Sequence, residues 1–350
     1  MDSSVLIYGA NGYTGELIAR TAKSRGYTPI LAARREAAVR PLAQELGFEH
    51  RSFALDDPGA VDEGLRGVRV VLHCAGPFSK TSQPMAAACL RARAHYLDVT
   101  GEVAVFEALA ARDEEAKRAG VMLLPGVGFD VVPSDCLAAH LKRRLPSASR
   151  LRLGFYVELA LSRGTATTTV EGIGLPNLVR RDGVLTPVPM GSLARTIDFG
   201  DGPKPCMSIP WGDVSTAFYS TGIPDIEVYV ALPAAMRFAM TWSGAFAKLL
   251  QAAPVQRFLK ARAQAGKPGP DAAERARVRS RLWGEVIDPA GASCTTRLET
   301  PEGYSLTIET ALASVARVLA GQSAPGFQTP SKLFGPDFIL EMPNVVRTDL

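Results

Sequence analysis

Short hydrophobic runs alternate with longer amphipathic segments through the first 125 residues of the chain. The run at Val68–Ala75 is mostly apolar, which is typical of a parallel strand covered on both faces. The six strands predicted in this way are Val5–Gly9, Thr28–Ala33, His50–Leu55, Val68–Ala75, His95–Val99 and Val121–Leu124. Helical segments separate them, and repeated βαβ units of this length predict a doubly wound parallel sheet.

The alternation ends after Gly126, and the rest of the chain predicts a second domain of the α+β class. A helix, a strand, a Gly/Pro/Thr-rich region, a β-hairpin and another helix follow in that order. They are Pro133–Leu145, Leu151–Leu161, the hairpin strands Leu282–Ile287 and Cys294–Thr300, and Tyr304–Leu319. We therefore predict a Rossmann-type domain at 1–130 and a substrate and dimerisation domain at 131–324, with residues 325–350 packing back on the first domain.

Composition and charge exclude several classes of function. The chain has 350 residues, of which 47% are hydrophobic and 21% charged, the balance of an ordinary globular protein. A net charge of +4 without a basic cluster argues against nucleic-acid binding. Five scattered cysteines and four scattered histidines predict a reducing, cytoplasmic setting and no metal site. The N-terminal residues lack the pattern of a signal peptide.

The strongest chemical signal is a glycine-rich turn directly after the first predicted strand. Glycine recurs at every third position of Gly9-Ala-Asn-Gly-Tyr-Thr-Gly15, a variant of the dinucleotide fingerprint. Glycines let the backbone approach a pyrophosphate, and the helix N-terminus offers N–H groups and a partial positive charge. The predicted dinucleotide contacts are Gly9, Asn11, Gly12, Tyr13, Thr14 and Gly15.

The end of the second predicted strand indicates which dinucleotide is bound. A carboxylate there would bind the ribose 2′-OH of NAD, but this chain has Arg34. A guanidinium suits a dianionic 2′-phosphate, so we predict NADP(H). Two further residues each have two interpretations. Arg35 either stacks on the adenine or is solvated. Asp56 either binds the adenine amine or caps the next helix together with Asp57.

The fourth predicted strand ends in small residues at the edge where such folds bind ligands. The segment Cys74-Ala-Gly-Pro-Phe78 leaves room for a cofactor, and an ordinary strand-to-helix turn has the same pattern. The predicted cofactor contacts here are Cys74, Ala75, Gly76, Pro77 and Phe78.

Several stretches together resemble the saccharopine dehydrogenase-like oxidoreductases, and most closely the bacterial branch of trans-acting enoyl reductases. They are Tyr8–Gly15, Ala75–Phe78, His95–Glu102, Gly126–Asp135 and Gly326–Pro330. The resemblance implies a second domain that closes over the nicotinamide, NADPH as hydride donor and often a homodimer. It also implies that the turn holding Gly128, Phe129 and Asp130 faces the nicotinamide, with the first two beside the cofactor and Asp130 on the substrate side.

A reduction also needs a proton donor, and the sequence offers several candidates. We favour Asp130, Tyr96 and Lys80, and the further candidates are Tyr13, Ser79 and Tyr219. Asp130 also fits a capping role ahead of Pro133, and Tyr96 also fits an aromatic residue packed in the core.

The apolar stretch 228–258 bears on the substrate. Arg237 is the only charged residue between Glu227 and Lys248, and Pro233 interrupts the run, so it is not a clean membrane-spanning segment. Three interpretations remain: a buried core helix, a wall for a long acyl substrate, and an interface with a partner or a membrane surface.

Three hypotheses of function follow from these patterns. The first is NADPH-dependent reduction of an activated C=C bond in a hydrophobic acyl or polyketide-type substrate, free or carrier-bound. The second is imine or carbonyl reduction, for which the basic candidates to hold substrate carboxylates are Arg163, Arg180, Arg181 and Arg195. The third is a non-catalytic NADP-binding protein that docks on a lipid surface through 228–258. A serine hydrolase is disfavoured because the chain has no G-x-S-x-G elbow.

Overall fold

The computed structural model describes residues 4–157, 162–243 and 246–350. Its strands are β1 Val5–Tyr8, β2 Ile30–Ala33, β3 His50–Ser52, β4 Val70–His73, β5 His95–Asp98, β6 Met122–Leu124, β7 Arg150–Val157, β8 Asn177–Arg181, β9 Val184–Val188, β10 Ala194–Asp198, β11 Pro203–Ser208, β12 Asp225–Ala231, β13 Arg279–Ile287, β14 Ser293–Pro301, β15 Gly326–Phe327 and β16 Val346–Asp349. Its helices are α1 Tyr13–Ser24, α2 Glu36–Leu46, α3 Pro58–Gly64, α4 Phe78–Ala92, α5 Val103–Ala110, α6 Asp113–Ala119, α7 Val132–Arg144, α8 Arg163–Gly172, α9 Asp213–Thr221, α10 Ala234–Ser243, α11 Ala247–Leu250, α12 Ala253–Gln264, α13 Ala272–Arg277, α14 Gly303–Leu319 and α15 Pro330–Phe334, with a 3-10 turn at Phe338–Glu341.

The chain divides into two compact units, and the division differs from the predicted one near the C-terminus. The first unit is Met1–Val132 with Tyr304–Phe334, and the second is Pro133–Gly303 with Gly335–Leu350. The helix predicted for the second domain, α14, therefore belongs to the first unit, where its apolar face joins the core. Residues 325–350 were predicted to pack back on the first domain, and only the beginning of this segment does so. Strand β15 pairs with β6 in the first unit, whereas β16 pairs with β14 in the second unit.

A seven-stranded sheet forms the centre of the first unit. Its strand order is β15-β6-β5-β4-β1-β2-β3, and all six pairings are parallel. The chain runs outward from β1 through β2 to β3, and then from β4 in the other direction. Folds of this kind bind ligands at the carboxyl ends of the strands where the direction changes. The predicted Rossmann-type fold class is confirmed.

The two faces of this sheet carry different side chains, because strand residues alternate between faces. One face, with Ile7, Leu72 and Leu97, packs into an apolar core with residues of α1, α2 and α14. Tyr8 and His73 directly follow two of those core residues and so occupy the opposite face. The second face thus places polar groups at the carboxyl edge.

Most predicted elements of the first unit agree with the structure within a few residues, but one helix divides. The predicted helix Val103–Ala119 is two helices, α5 and α6, with Arg112 at the N-cap position of the second. The side chain of Arg112 pairs with Glu115 at 2.8 Å. Three acidic residues in the first turn of α6 favour the start of a new helix there, because they interact well with its dipole.

The second unit is built on a nine-stranded sheet. Its main path is β10-β11-β12-β7-β13-β14-β16, and β8 and β9 attach through β12. The predicted hairpin is confirmed as β13 and β14, closed where Asp288 N donates to Ala292 O at 2.9 Å. Helix α7 packs closely on this sheet, since a Cβ on Gly284 would lie 2.5 Å from Leu141 Cδ1. The predicted strand Leu151–Leu161 is β7, and residues 158–161 lie outside the described residues.

The apolar stretch 228–258 does not form the core helix that was one interpretation of it. Among its described residues, only those at its beginning, in β12, are buried. Helices α10, α11 and α12 bury none of their described residues. None of the described helices combines the length and the apolar composition that crossing a bilayer requires.

Candidate cofactor-binding site

The turn after β1 packs backbone against backbone, as its glycines predict. Gly9 N donates to Ala32 O at 2.7 Å, and Gly9 has a φ of +84°. A Cβ on Gly9 would lie 2.7 Å from Ala75 N, and one on Gly15 would lie 2.4 Å from Gly9 O. Any side chain at either position would therefore push apart β1, α1 and the segment after β4.

Helix α1 keeps an N-terminus at which an anion can bind. It begins at Tyr13, and its N-cap residue is Gly12, which has no side chain to accept from the first N–H groups. Two other helices that begin at this edge are capped: Asp57 accepts from Ala60 N in α3, and Glu102 caps α4. Since a helix N-terminus after a glycine turn offers N–H groups and a partial positive charge, α1 suits a pyrophosphate. Asn11 in the same turn is exposed, and Thr14 is half-buried.

The exposed side chain of Arg34 follows directly after β2. Burial raises the pKa of Tyr8 to about 12, and smaller effects come from the charge of Arg34, which lowers it, and of Asp56, which raises it. The charges of Arg34 and Asp56 therefore both influence Tyr8, the last residue of β1. An exposed guanidinium at this edge fits a 2′-phosphate. Arg35 is exposed at the N-cap position of α2.

The alternative role for Asp56, capping the next helix, belongs to its neighbour. Asp57 is the N-cap residue of α3, and its side chain accepts from Ala60 N at 3.0 Å. Asp56 is exposed beside it. Its contact with the adenine stays a prediction.

The segment Cys74–Phe78 connects β4 to α4 and is held from two sides. Thr81 Oγ1 donates to Ala75 O at 2.7 Å. The Glu102 carboxylate accepts from Phe78 N and Ser79 N, each at 2.8 Å. The Gly76–Pro77 peptide is cis, and burial raises the pKa of the Cys74 thiol. Sequence reasoning did not single out Glu102 as the cap of α4.

A buried carboxylate at the end of β5 joins three parts of the first unit. Asp98 Oδ2 accepts from Tyr96 Oη at 2.6 Å, and Asp98 Oδ1 accepts from Thr100 N at 3.0 Å and Gly126 N at 2.9 Å. Burial raises the pKa of Asp98 to about 6, although these hydrogen bonds act in the opposite direction. Asp98 thereby fixes the start of the turn that leads to Asp130. Sequence reasoning missed it, although an acid at the end of a buried strand was a signal.

His73 lies beside this network without entering it. Its ring is fully buried and packs 5.6 Å from the Tyr8 ring and 5.4 Å from the Phe78 ring, measured between centroids. Neither ring nitrogen has a hydrogen-bond partner among the described residues. Burial lowers the pKa of His73 to about 3, so the ring is neutral near pH 7.

The turn that holds Gly128, Phe129 and Asp130 is anchored by α14. Phe129 N donates to Thr307 Oγ1 at 3.0 Å, and a Cβ on Gly128 would lie 3.1 Å from Thr307 Cγ2. The Asp130 carboxyl lies against Gly101, where a Cβ would come within 2.7 Å of Asp130 Oδ2. Burial raises the pKa of Asp130 to about 6. The turn thus brings a carboxyl group with a raised pKa to the end of β5.

The other candidate proton donors lie in different surroundings. Tyr96 is fully buried with its hydroxyl donated to Asp98, which argues against direct contact with a substrate. Lys80 and Ser79 are exposed in the first turn of α4. Tyr13 packs edge-on against Tyr304, with ring centroids 5.0 Å apart. Tyr219 is half-buried on α9 of the second unit.

Comparisons with known proteins agree with this site. Residues 5–124 match the family described as "Saccharopine dehydrogenase NADP binding domain". A trans-acting enoyl reductase of Mycobacterium ulcerans is 28% identical over 148 residues, which are 40% of this chain and 35% of that protein. A saccharopine dehydrogenase-like oxidoreductase of Homo sapiens is 25% identical over 217 residues, 53% of this chain and 50% of that one. The chain thus spans between a third and a half of these relatives.

A solved structure shows the same fold over the whole chain. The apo histidine-tagged saccharopine dehydrogenase (L-Glu forming) from Saccharomyces cerevisiae matches with a TM-score of 0.69 and 12% identity, covering 99% of both chains. The predicted family resemblance and the predicted cofactor are confirmed, and the individual contacts stay predictions. The glycine turn and the exposed Arg34 fit the cofactor. Residues 5–124 of the chain are thus similar to the saccharopine dehydrogenase NADP-binding domain, and this similarity indicates NADP(H) as the cofactor.

Proposed function

We propose that the chain is an NADPH-dependent oxidoreductase that reduces an activated carbon–carbon double bond in a hydrophobic acyl substrate. The observation that carries this proposal is the close glycine turn between β1 and α1, with exposed Arg34 at the same edge of the sheet. The matched NADP-binding domain supports the cofactor. The relatives named trans-acting enoyl reductases support the enoyl bond.

The residues of the first unit would hold the cofactor by backbone and by charge. The turn Gly9–Gly15 and the N-terminus of α1 would bind the pyrophosphate, and Arg34 would bind the 2′-phosphate. When bound, NADPH supplies the hydride for the reduction. Asp98 and Glu102 act at a distance: they fix the turn at Gly126 and the start of α4, so we assign them positioning roles.

Asp130 is the acid we favour for the second half of the reduction. A reduced double bond takes a hydride on one carbon and a proton on the other, and a carboxyl group with a pKa of about 6 exchanges its proton near neutral pH. Asp130 also lies in the turn that Asp98 and α14 hold in place. Lys80, exposed on α4, is the second candidate, and we reassign Tyr96 to positioning Asp98.

The basic residues of the second unit give little support to reduction of an acidic imine. Arg180 Nε donates to Val214 O at 2.7 Å, and Arg163 Nε donates to Gly266 O at 2.7 Å. Arg195 pairs with Glu285 at 3.1 Å, and Arg181 pairs with Glu227. All four candidate carboxylate binders therefore already have partners within the chain. An apolar substrate fits this arrangement better than one with two or three carboxylates.

The proposal is tested by NADPH consumption with a matched set of substrates. We expect turnover with trans-2-enoyl thioesters, rising with acyl length, and none with their saturated counterparts or with imines of amino acids. Turnover of imines alone would favour the second hypothesis. NADPH binding without turnover of any substrate in the set would favour a non-catalytic protein.

The role of Asp130 is tested with Asp130→Asn, which keeps the shape of the side chain and removes the acid. We expect kcat to fall roughly a hundredfold while the affinity for NADPH stays unchanged. In the unaltered enzyme kcat falls as the pH rises above about 6, because the acid is then deprotonated. Glu114→Gln, at an exposed position on α6, is the matched control. An unchanged kcat in Asp130→Asn would shift the role to Lys80.

A further inference from the structure

Large apolar side chains are concentrated on one part of the second unit. Among the described residues eleven such side chains are exposed, and six of them lie between Ala234 and Gln264. They are Met236, Phe238, Trp242, Phe246, Leu249 and Phe258, with exposed fractions from 50% to 68%. Exposed apolar residues are ordinarily scattered singly, so a cluster of this kind marks an interaction surface.

These helices are held to the unit by hydrogen bonds, and they carry exposed aromatic rings. Gln256 Nε2 on α12 donates to Val170 O of α8 at 3.1 Å. Arg237 on α10 donates to Pro205 O at 3.2 Å. Phe238 and Trp242 lie one helical turn apart, with ring centroids separated by 6.1 Å, and both are more than half exposed. The two rings therefore lie largely in solvent, while hydrogen bonds from neighbouring side chains hold the helices to the unit.

The same segment carries only positive charge. Residues 228–270 contain six basic residues and neither Asp nor Glu. The basic residues are Arg237, Lys248, Arg257, Lys260, Arg262 and Lys267. The whole chain is nearly balanced, with 39 Lys and Arg against 35 Asp and Glu, so the excess is local. Lys248, Arg257 and Arg262 are exposed in the same segment as the apolar rings.

We propose that helices α10, α11 and α12, here called the apolar–basic surface, dock on an anionic lipid surface. Aromatic and aliphatic side chains enter the boundary between headgroups and acyl chains, and flanking Lys and Arg bind lipid phosphates. A second copy of the chain is a poorer occupant, because it would place the five positive charges of these helices against the same five charges. This inference does not depend on the reaction that the chain catalyses.

The test is flotation of the full chain with vesicles. We expect it to float with vesicles of phosphatidylcholine and phosphatidylglycerol and far less with phosphatidylcholine alone, and added salt should weaken the binding. The double substitution Phe238→Ser/Trp242→Ser removes the two rings, and Arg257→Glu reverses one charge. We expect each variant to lower the bound fraction by roughly tenfold.

Matched controls separate this surface from general effects of mutation. Val184→Ser removes an apolar side chain that is 64% exposed on β9, and Arg118→Glu reverses an exposed charge on α6. Both should float like the unaltered chain. Three results would each overturn the proposal: no flotation with anionic vesicles, equal flotation of the surface variants, or a concentration-dependent dimer that is lost in Phe238→Ser/Trp242→Ser.

Discussion

The glycine turn of the first unit and the apolar–basic surface of the second are both built from small or apolar residues, yet they differ in burial. Ala10 in the turn is fully buried, whereas Phe238 is 68% exposed. In the turn, function depends on backbone geometry that side chains would disrupt. On the apolar–basic surface, the proposed docking depends on side chains that the fold leaves in solvent. Substitutions should therefore affect folding in the first region and association in the second.

The largest effect is expected at Gly9. Gly9→Ala combines a φ of +84° with a Cβ that would lie 2.7 Å from Ala75 N, so we expect the free energy of unfolding to fall by more than about 3 kcal/mol. Gly26→Ala is the control, because Gly26 has a φ of +73° but nothing within 4 Å of its Cβ position. Urea titration should show a loss of about 1 kcal/mol there. Equal losses would mean that the approach to Ala75 is not what requires glycine.

A second prediction concerns the pH dependence of stability that Asp130 causes. The folded-state pKa of Asp130 is raised to about 6, so the native protein binds this proton more tightly than the unfolded chain does. As the pH rises from about 4 to about 6, the unaltered protein should lose stability relative to Asp130→Asn, by about 3 kcal/mol in total. The difference should stay constant above pH 6 and vanish below pH 4. A difference independent of pH would contradict the raised pKa.

His73 provides a smaller effect at pH 7 and the opposite dependence on pH. Burial lowers its folded-state pKa to about 3, so below about pH 6.5 the unfolded chain binds the additional proton and stability falls as the pH falls. His73→Phe fits among the Tyr8 and Phe78 rings and removes two nitrogens for which the described part of the chain offers no hydrogen-bond partner. We expect a gain of about 1 kcal/mol at pH 7 and weaker acid sensitivity. A loss of stability at pH 7 would show that the imidazole is required.

The smallest effect on stability is expected on the apolar–basic surface. Phe238→Ala should change the free energy of unfolding by less than about 0.5 kcal/mol, because the ring is mostly in solvent. Phe106→Ala, at a fully buried ring of the first unit, should cost about 4 kcal/mol in the same thermal or urea titrations. Similar losses for the two would remove the contrast between the regions.

The sequence predicted the first unit well because its signals are local. Strands covered on both faces are apolar throughout, and the glycine turn has fixed spacing after β1, so both were found from neighbouring residues. The division of the helix at Arg112 and the transfer of α14 to the first unit were not predicted. Amphipathicity shows that a helix packs against something, but it does not show against which sheet.

Burial, which only the structure supplies, explains the features that sequence reasoning missed. Asp98 and His73 are polar residues at the ends of buried strands. Nothing in their immediate sequence shows that Asp98 is fully hydrogen-bonded and that His73 has no hydrogen-bond partner among the described residues. The stretch 228–258 has the same apolar composition whether it lies in a core or in solvent. Its exposure therefore appeared only with the positions of α10, α11 and α12.

The most direct test of the cofactor site is an equilibrium titration of the chain with NADPH and with NADH, followed by nicotinamide fluorescence. We predict that the unaltered chain binds NADPH more tightly than NADH. In Arg34→Ala the affinity for NADPH should fall roughly thirtyfold to a hundredfold, because a charged hydrogen bond to the 2′-phosphate is removed, and the affinity for NADH should stay unchanged. Arg118→Ala, at an exposed position on α6, is the control. Equal affinities for the two nucleotides, or no effect of Arg34→Ala, would contradict the site at the end of β2.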